Sequence, residues 1–313
     1  MATYSIEPER RTLHGHFSPD LPPVLAIDPG DTVHFRTIDA GWGLEAPPES
    51  NIDKRKKFEP RHPDLDKGHA LCGPIEIRGA KPGMTLGVRI DEVRPGPYGW
   101  TVAGGWSSPT NDALGVTKEG ISLRWSLDPD TLTGRNQLGH TIDLHPFMGV
   151  MGMPPAEPGV HPTAPPRVTG GNIDCKLLVA GSTLYLPIQV PGALFSVGDG
   201  HAAQGDGEVS TTAIECPMER VTLTFSLHDG PTLKTPRANT ADGWITLGFH
   251  TDLHEATILA LDAMLDLIME QHHISRLEAL GMASLVVDMH ITQIVNGVRG
   301  VHAILPHDAI RKD

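Results

Sequence analysis

The sequence predicts a mainly β fold, sandwich-like, with internally duplicated β units and α-helices at its C-terminal end. Three observations predict it. Apolar residues alternate in short runs separated by Pro-Gly turns as far as about residue 250, two of those runs repeat at a fixed offset, and helix-capping signals mark the region beyond residue 250. Composition agrees: 34 Gly and 28 Pro punctuate the 313 residues while aromatics make up 5%, which suits many short strands joined by tight loops.

Residues 24–28 are the first strand candidate, closed by Pro29-Gly30-Asp31, and residues 32–38 alternate as a half-buried strand requires. Residues 74–78 lead through Pro82-Gly83 into 85–90, and residues 173–177 lead through Ala180-Gly181 into 183–190, with 221–227 as a further strand. The two units align at a constant offset of 98 residues, matching Gly73 with Gly171, Ile75 with Ile173, Gly83 with Gly181, Thr85 with Thr183, Leu86 with Leu184 and Ile90 with Ile188. Glu76 falls opposite Asp174. Six identities in 18 positions without a gap favour internal duplication over shared hairpin chemistry. A site between two related halves would draw residues from both.

Beyond residue 250, Thr251-Asp252 can cap a helix running to Glu270, with Ile258, Leu261, Leu265 and Ile268 on one face. That stripe of Leu and Met is core packing. Ser275-Arg276-Leu277-Glu278 has the form of a capping box for a second helix through residue 287. Residues 291–297 then read as strand and turn, and 301–305 as a last strand. The organisation expected is a single domain over 1–313, with a β-rich body over 1–250 and closing helices and strands over 251–313.

Lys and Arg total 25 against 38 Asp and Glu, a net charge of −13 with His neutral. The excess argues against nucleic acid, because polyanion binders need a basic face. The one basic run, Lys54-Arg55-Lys56-Lys57, reads as a solvated turn. The N-terminus lacks the basic start and apolar run of a secretory signal, and no stretch of about 18 apolar residues occurs, so a soluble cytoplasmic protein without membrane attachment is expected. Three isolated cysteines, Cys72, Cys175 and Cys216, with no C-x-x-C spacing, fit a reducing compartment.

Polar chemistry concentrates between Gly198 and Glu208. Asp199, His201, Asp206 and Glu208 stand among four glycines, with Gln204 between them. Asp199 and His201 are two apart, so in a strand they share one face and could hold a zinc-like cation, with Glu208 as general base. The alternatives are a calcium loop or a Gly-rich turn whose acids bond their own backbone. The order of Asp and Gly is not that of an EF-hand, and His and Gln are unusual calcium ligands. Upstream, Gly170-Gly171-Asn172-Ile173-Asp174 is equally a β-turn with an Asx bond or a functional segment. His69 and Asp39 lie beside strand ends. His145-Pro146 and His161-Pro162 sit in a Pro-rich stretch that is either a loop over the site or a connector. There is no nucleophile elbow or Ser-x-x-Lys pair, and strand alternation would turn Cys175 away from Asp174. Amide cleavage would therefore use an activated water, a polarising cation and a carboxylate that shuttles the proton.

Taken together these segments resemble the acetamidase/formamidase family. The matching pieces are Val24 to Val33 with Asp39-Ala40, Gly68-His69-Ala70-Leu71-Cys72-Gly73-Pro74-Ile75 with Pro82-Gly83, His145 to Gly152, Gly170 to Asp174, and Gly198 to Glu208, where the pattern G-D-x-H-x-x-Q-G-D-G-E is met at every fixed position. They occur in family order along nearly the whole chain. The resemblance implies hydrolysis of formamide, acetamide or related short amides on a sandwich-like fold with C-terminal helices. It implies a divalent metal, zinc with calcium as the alternative, and a homo-oligomer. It brings Asp39, His69, Asp174, Asp199, His201 and Glu208 forward together, and we divide them into metal ligands (Asp39, His69, Asp199, His201) and catalytic groups (Glu208 and Asp174, with Gln204). The chain is compact beside the longer formamidase-like members, which leaves formamide and acetamide equally open.

Two alternatives remain on sequence. A cupredoxin-like metal-binding module would need a Cys followed by His and Met at blue-copper spacing, and Cys216-Pro217-Met218 offers a Met without a nearby His. A hydrolase of cyclic amides would use the same residues as the acyclic amidase.

Overall fold

The structure, a computed structural model, describes residues 1–48 and 54–311. Its first half contains β1 (Thr3–Ile6), β2 (Leu13–His14), β3 (Leu25–Ile27), β4 (Thr32–Thr37), β5 (Leu71–Ile77) and β6 (Thr85–Pro95). An excursion follows, made of β7 (Tyr98–Gly104), α1 (Pro109–Leu114), β8 (Gly120–Asp128), β9 (Thr133–Asn136) and β10 (Thr141–Asp143). The chain then forms β11 (Phe147–Gly152), β12 (Gly170–Asn172), β13 (Thr183–Pro187), β14 (Phe195–His201), β15 (Met218–His228), β16 (Arg237–Asn239) and β17 (Gly243–His250). It ends with α2 (Leu253–His272), α3 (Arg276–Val286), β18 (Asp288–Gln293) and β19 (Arg299–Pro306).

Two large sheets result. Nine strands run in the order β1-β4-β15-β6-β13-β16-β17-β19-β18, and a second sheet runs β12-β11-β14-β5-β2 with β3 added to β5. Alternation along each strand gives both sheets an apolar inner face. Val33, Val88, Leu184, Leu223 and Phe225 of the first sheet share one buried cluster with Ile75, Ile77, Phe195 and Val197 of the second. Phe195 meets Phe225 edge-on across the interior, with ring centroids 5.2 Å apart. The excursion forms its own four-stranded sheet, β10-β9-β8-β7.

The repeat of 98 residues appears in space as a local two-fold. β6 and β13 pair antiparallel with Gly87 opposite Tyr185, Thr85 opposite Pro187 and Arg89 opposite Thr183, a register centred on positions one repeat apart. Their flanks exchange matching bonds: Gly83 N–H donates to Ile188 O at 3.0 Å and Gly181 N–H to Ile90 O at 2.8 Å, while Ile188 N–H reaches Met84 O and Ile90 N–H reaches Ser182 O, both at 2.9 Å. In the second sheet β11 and β14 pair at the centre with β12 and β5 outside them.

Three local expectations are corrected. Residues 173–177 are not a strand: β12 stops at Asn172, Ile173 N–H turns to Gly149 O, and Asp174 takes a left-handed φ of 53°. Of the face expected for α2, Leu265 and Ile268 are buried and Leu261 packs partly buried beside them, but Ile258 is 46% exposed, and Ala256, Ala260, Met264 and Leu267 complete the buried face. Small residues win there because α2 lies against Gly248, where a Cβ would come within 2.1 Å of Ala256 O. Arg55, expected in a solvated turn, is buried. Its Nε and Nη2 donate to Asp39 Oδ2 and Oδ1 at 3.0 and 3.1 Å, and its guanidinium stacks 4.9 Å from the Trp100 ring. Asp39 also accepts from Gly43 N–H at 2.8 Å and Trp100 Nε1–H at 3.3 Å. The caps of both C-terminal helices stand as expected, on Asp252 and on Ser275 with Glu278.

A buried carboxylate so arranged depends on its cation. Arg55→Ala should lower the unfolding free energy by about 3–5 kcal/mol, whereas the double variant Arg55→Met with Asp39→Leu should recover most of that in urea denaturation. A loss below about 1 kcal/mol in the single variant would show that the pair is not an anchor.

Candidate active site

The end of β14 carries Asp199-Gly200-His201, and both functional side chains are buried. The neighbouring strand β11 runs antiparallel to it, placing Phe147 opposite His201, and the two rings meet edge-on at 5.1 Å. Gly149 of β11 stands over the acids. A Cβ there would lie 2.7 Å from Asp199 Oδ2, 2.8 Å from Asp174 Oδ1 and 2.8 Å from His201 Cε1. Only a glycine lets these three groups converge.

His201 Nε2 lies 3.3 Å from Asp199 Oδ1 and 3.4 Å from Glu215 Oε1. Glu215 is held there by backbone pairing of its segment with both His201 and Trp100. Asp174, from the turn after β12, and Glu208, from the loop after β14, also approach the imidazole. Asp199, His201 and Glu215 bring ligand atoms within 4.8 Å of one another, as do Asp174, His201 and Glu208. Asp174, Asp199 and Glu208 all have positive φ, 53°, 59° and 44°. Side chains rarely adopt this conformation, and its cost of about 1–3 kcal/mol each is tolerated mainly at functional sites.

Four carboxyl groups around one imidazole cannot all ionise in a buried space. Burial pushes Asp174 up to about 8 and Glu215 up to about 7, and together with the Asp174 charge it holds Glu208 well above the ordinary range. Burial also opposes ionisation of Asp199 and His201. There the mutual attraction wins: His201 and His69 hold Asp199 below its usual value, and Glu215 and Asp199 hold His201 well above its own. Several polar atoms facing this centre have no hydrogen-bond partner among the described residues: Asp174 Oδ1, His201 Nδ1, Gln204 Oε1, Glu208 Oε2 and Glu215 Oε2.

Of the residues expected from sequence, Asp174, Asp199, His201 and Glu208 meet here. Gln204 supports them, with its Nε2 donating to Asp174 O at 2.8 Å. His69 flanks the site, near enough for its charge to act on Asp199, with Nδ1 2.9 Å from Thr163 Oγ1. Asp39 lies outside both groups, its oxygens taken by Arg55, Gly43 and Trp100. Cys175 is buried and its thiol is raised to about 12, so it is no nucleophile at neutral pH. The Pro-rich stretch divides: His145 lines the cavity described below, while His161 pairs through its backbone with Phe17 as a connector.

Glu215, Asn296 and Gly149 were not foreseen. Asn296 Nδ2 donates to Asp174 Oδ2 at 2.6 Å from what the sequence marks only as a turn. A cavity of about 790 Å³ reaches this group at Glu208, with Gln204 beside it, and its wall mixes Trp125, Ile142, Leu177 and Ile214 with charged Asp143, Lys176 and Asp206. The two overlapping groups can hold a cation and move a proton at one centre.

Known proteins share this chain's sequence and shape. The acetamidase/formamidase family model matches residues 2–161 and 156–240. An acetamidase of Mycolicibacterium smegmatis is 27% identical over 255 residues, covering 63% of this chain and 61% of that protein. The chain thus spans about 60% of the length of the curated relatives it matches. The solved acetamidase of Yersinia enterocolitica superposes with a TM-score of 0.85 at 26% identity, over 99% of this chain and 93% of that one. A predicted acetamidase/formamidase from Thermoanaerobacter tengcongensis gives 0.84 at 25% identity, over 98% and 96%. The chain belongs to the acetamidase/formamidase family.

Proposed function

We propose that the chain is an amidohydrolase that cleaves short aliphatic amides to carboxylate and ammonia with a water activated at a divalent metal. The observation that carries this reading is the convergence of Asp174, Asp199, His201, Glu208 and Glu215, several with unpartnered oxygens, behind a cavity of mixed polar and apolar lining that Glu208 reaches.

The donor chemistry fits a metal. A dication offsets the charge that otherwise keeps several of these carboxyls protonated. Asp199, His201 and Glu215 would hold it, and an imidazole among the ligands favours zinc over calcium. When bound, such an ion polarises the amide carbonyl and lowers the pKa of water. The Asp174 and Glu208 pair then moves the proton. Glu208 takes it from water as the oxygen bonds to the carbonyl carbon, and returns it to nitrogen as the C–N bond breaks. Asp174, fixed by Asn296, keeps Glu208 basic enough for that transfer. The apolar lining takes the alkyl part of the amide and limits water at the reacting carbon.

No helix among the described residues is long and apolar enough to cross a membrane. Cys72, Cys175 and Cys216 are free and buried, which supports a cytoplasmic setting. Leu277 and Leu285 of α3 are 83% and 77% exposed, which supports a homo-oligomer contact there.

Ammonia release should be measured with formamide, acetamide and propionamide, and ring opening with a γ-lactam, before and after chelator treatment. Acyclic amides should be hydrolysed and chelator should abolish turnover until zinc is restored. No turnover on any acyclic amide by zinc-loaded protein would overturn the reading, and turnover confined to the lactam would favour the cyclic-amide alternative. Among variants, Glu208→Gln should keep its metal and lose about 10²–10⁴-fold in kcat. His201→Ala and Glu215→Ala should lose metal and activity together, and Asp39→Asn should keep its metal.

A further inference from the structure

A second group of metal-ligating side chains lies outside the five-residue centre. His290 of β18 and His302 of β19 are directly opposite in the antiparallel register, a spacing that brings two side chains together. Their rings stack, with centroids 5.1 Å apart and planes 9° from parallel. Asp206, from the loop after β14, approaches from a different part of the chain, with Oδ2 3.2 Å from His290 Nδ1. Each of the three brings a ligand atom within 4.8 Å of the others.

His302 supplies the second observation. It is fully buried, its Nδ1 is engaged by Thr292 Oγ1 at 2.8 Å, and its Nε2 has no hydrogen-bond partner among the described residues. One ring nitrogen fixed by a neighbour while the other stays free is the usual state of a metal-ligating histidine.

We propose that Asp206, His290 and His302 bind a second transition-metal ion of the zinc type. Two imidazoles and one carboxylate suit zinc, cobalt or nickel and not calcium or magnesium. The site is built to act as a clamp. Between its ligands, Gly207 N–H donates to Thr292 O at 3.0 Å and Ile294 N–H to Gly207 O at 3.1 Å, joining the loop that carries Glu208 to the C-terminal strands. An ion on Asp206, His290 and His302 reinforces that seam. Lys176 Nζ, 3.1 Å from Asp206 Oδ2, competes with it for the carboxylate.

Metal-free protein should be titrated with Zn²⁺ by calorimetry and with Co²⁺ by visible absorption, with bound metal counted by elemental analysis. His290→Ala, at a partly exposed position, should lose one equivalent that His201→Ala retains. Thr292→Val, which frees His302 Nδ1, should weaken the same equivalent by about 10–100-fold, and Lys176→Met should tighten it. The clamp is overturned if His290→Ala binds as much Zn²⁺ as the unaltered chain. It is also overturned if the equivalent lost in His290→Ala is the one lost in His201→Ala. Neither result depends on whether the chain hydrolyses amides.

Discussion

Four carboxyl groups share one buried imidazole, and that concentration of charge constrains everything around it. In the folded interior such groups repel one another and resist ionisation. They stay together because His201 attracts Asp199 and Glu215 directly, and because rigid backbone leaves them nowhere else to go. Three acids are held with positive φ, and Gly149 leaves room for the oxygens of two of them, Asp174 and Asp199, to approach His201. The two-sheet frame makes this arrangement stable: Phe147, Phe195 and Val197 anchor the central strands in the core, so the polar end of β14 cannot relax outward.

The centre divides by the origin of its residues. Asp199 and His201 belong to one strand and were legible from a spacing of two. Glu208 was legible because glycines isolate it in a polar run. Asp174 was legible as a carboxylate beside two glycines, although its segment turns where a strand was expected. Glu215 was not, because nothing in its local sequence marks it: only pairing of its backbone with His201 and Trp100 brings it in. Asn296 likewise arrives from the far end of the chain through a turn that any Asn-Gly pair could make.

The remaining differences have a common cause. Asp39 and Arg55 form a saturated buried pair, and no pattern in one sequence separates a carboxylate held by guanidinium from one held by metal. Arg55 lay in a basic run whose neighbours give no sign of burial. On α2, hydrophobicity pointed to Ile258, but the strand beneath presents Gly248, and close approach of backbones favours alanine over larger side chains. Strand and helix patterns were therefore readable along most of the chain, while choices made by long-range fit were not.

The local two-fold joins the halves by interleaving their strands. Strand β6, encoded early, lies between β15 and β13, both encoded later, and every residue of its ladder waits for a partner far along the chain. During synthesis, the first third of the polypeptide must therefore leave the ribosome with its central strand open on both edges. Such edges invite pairing with other chains, and closure across long loops is slow. The interleaved strand order thus ties recovery of folded protein to the interval before β15 emerges.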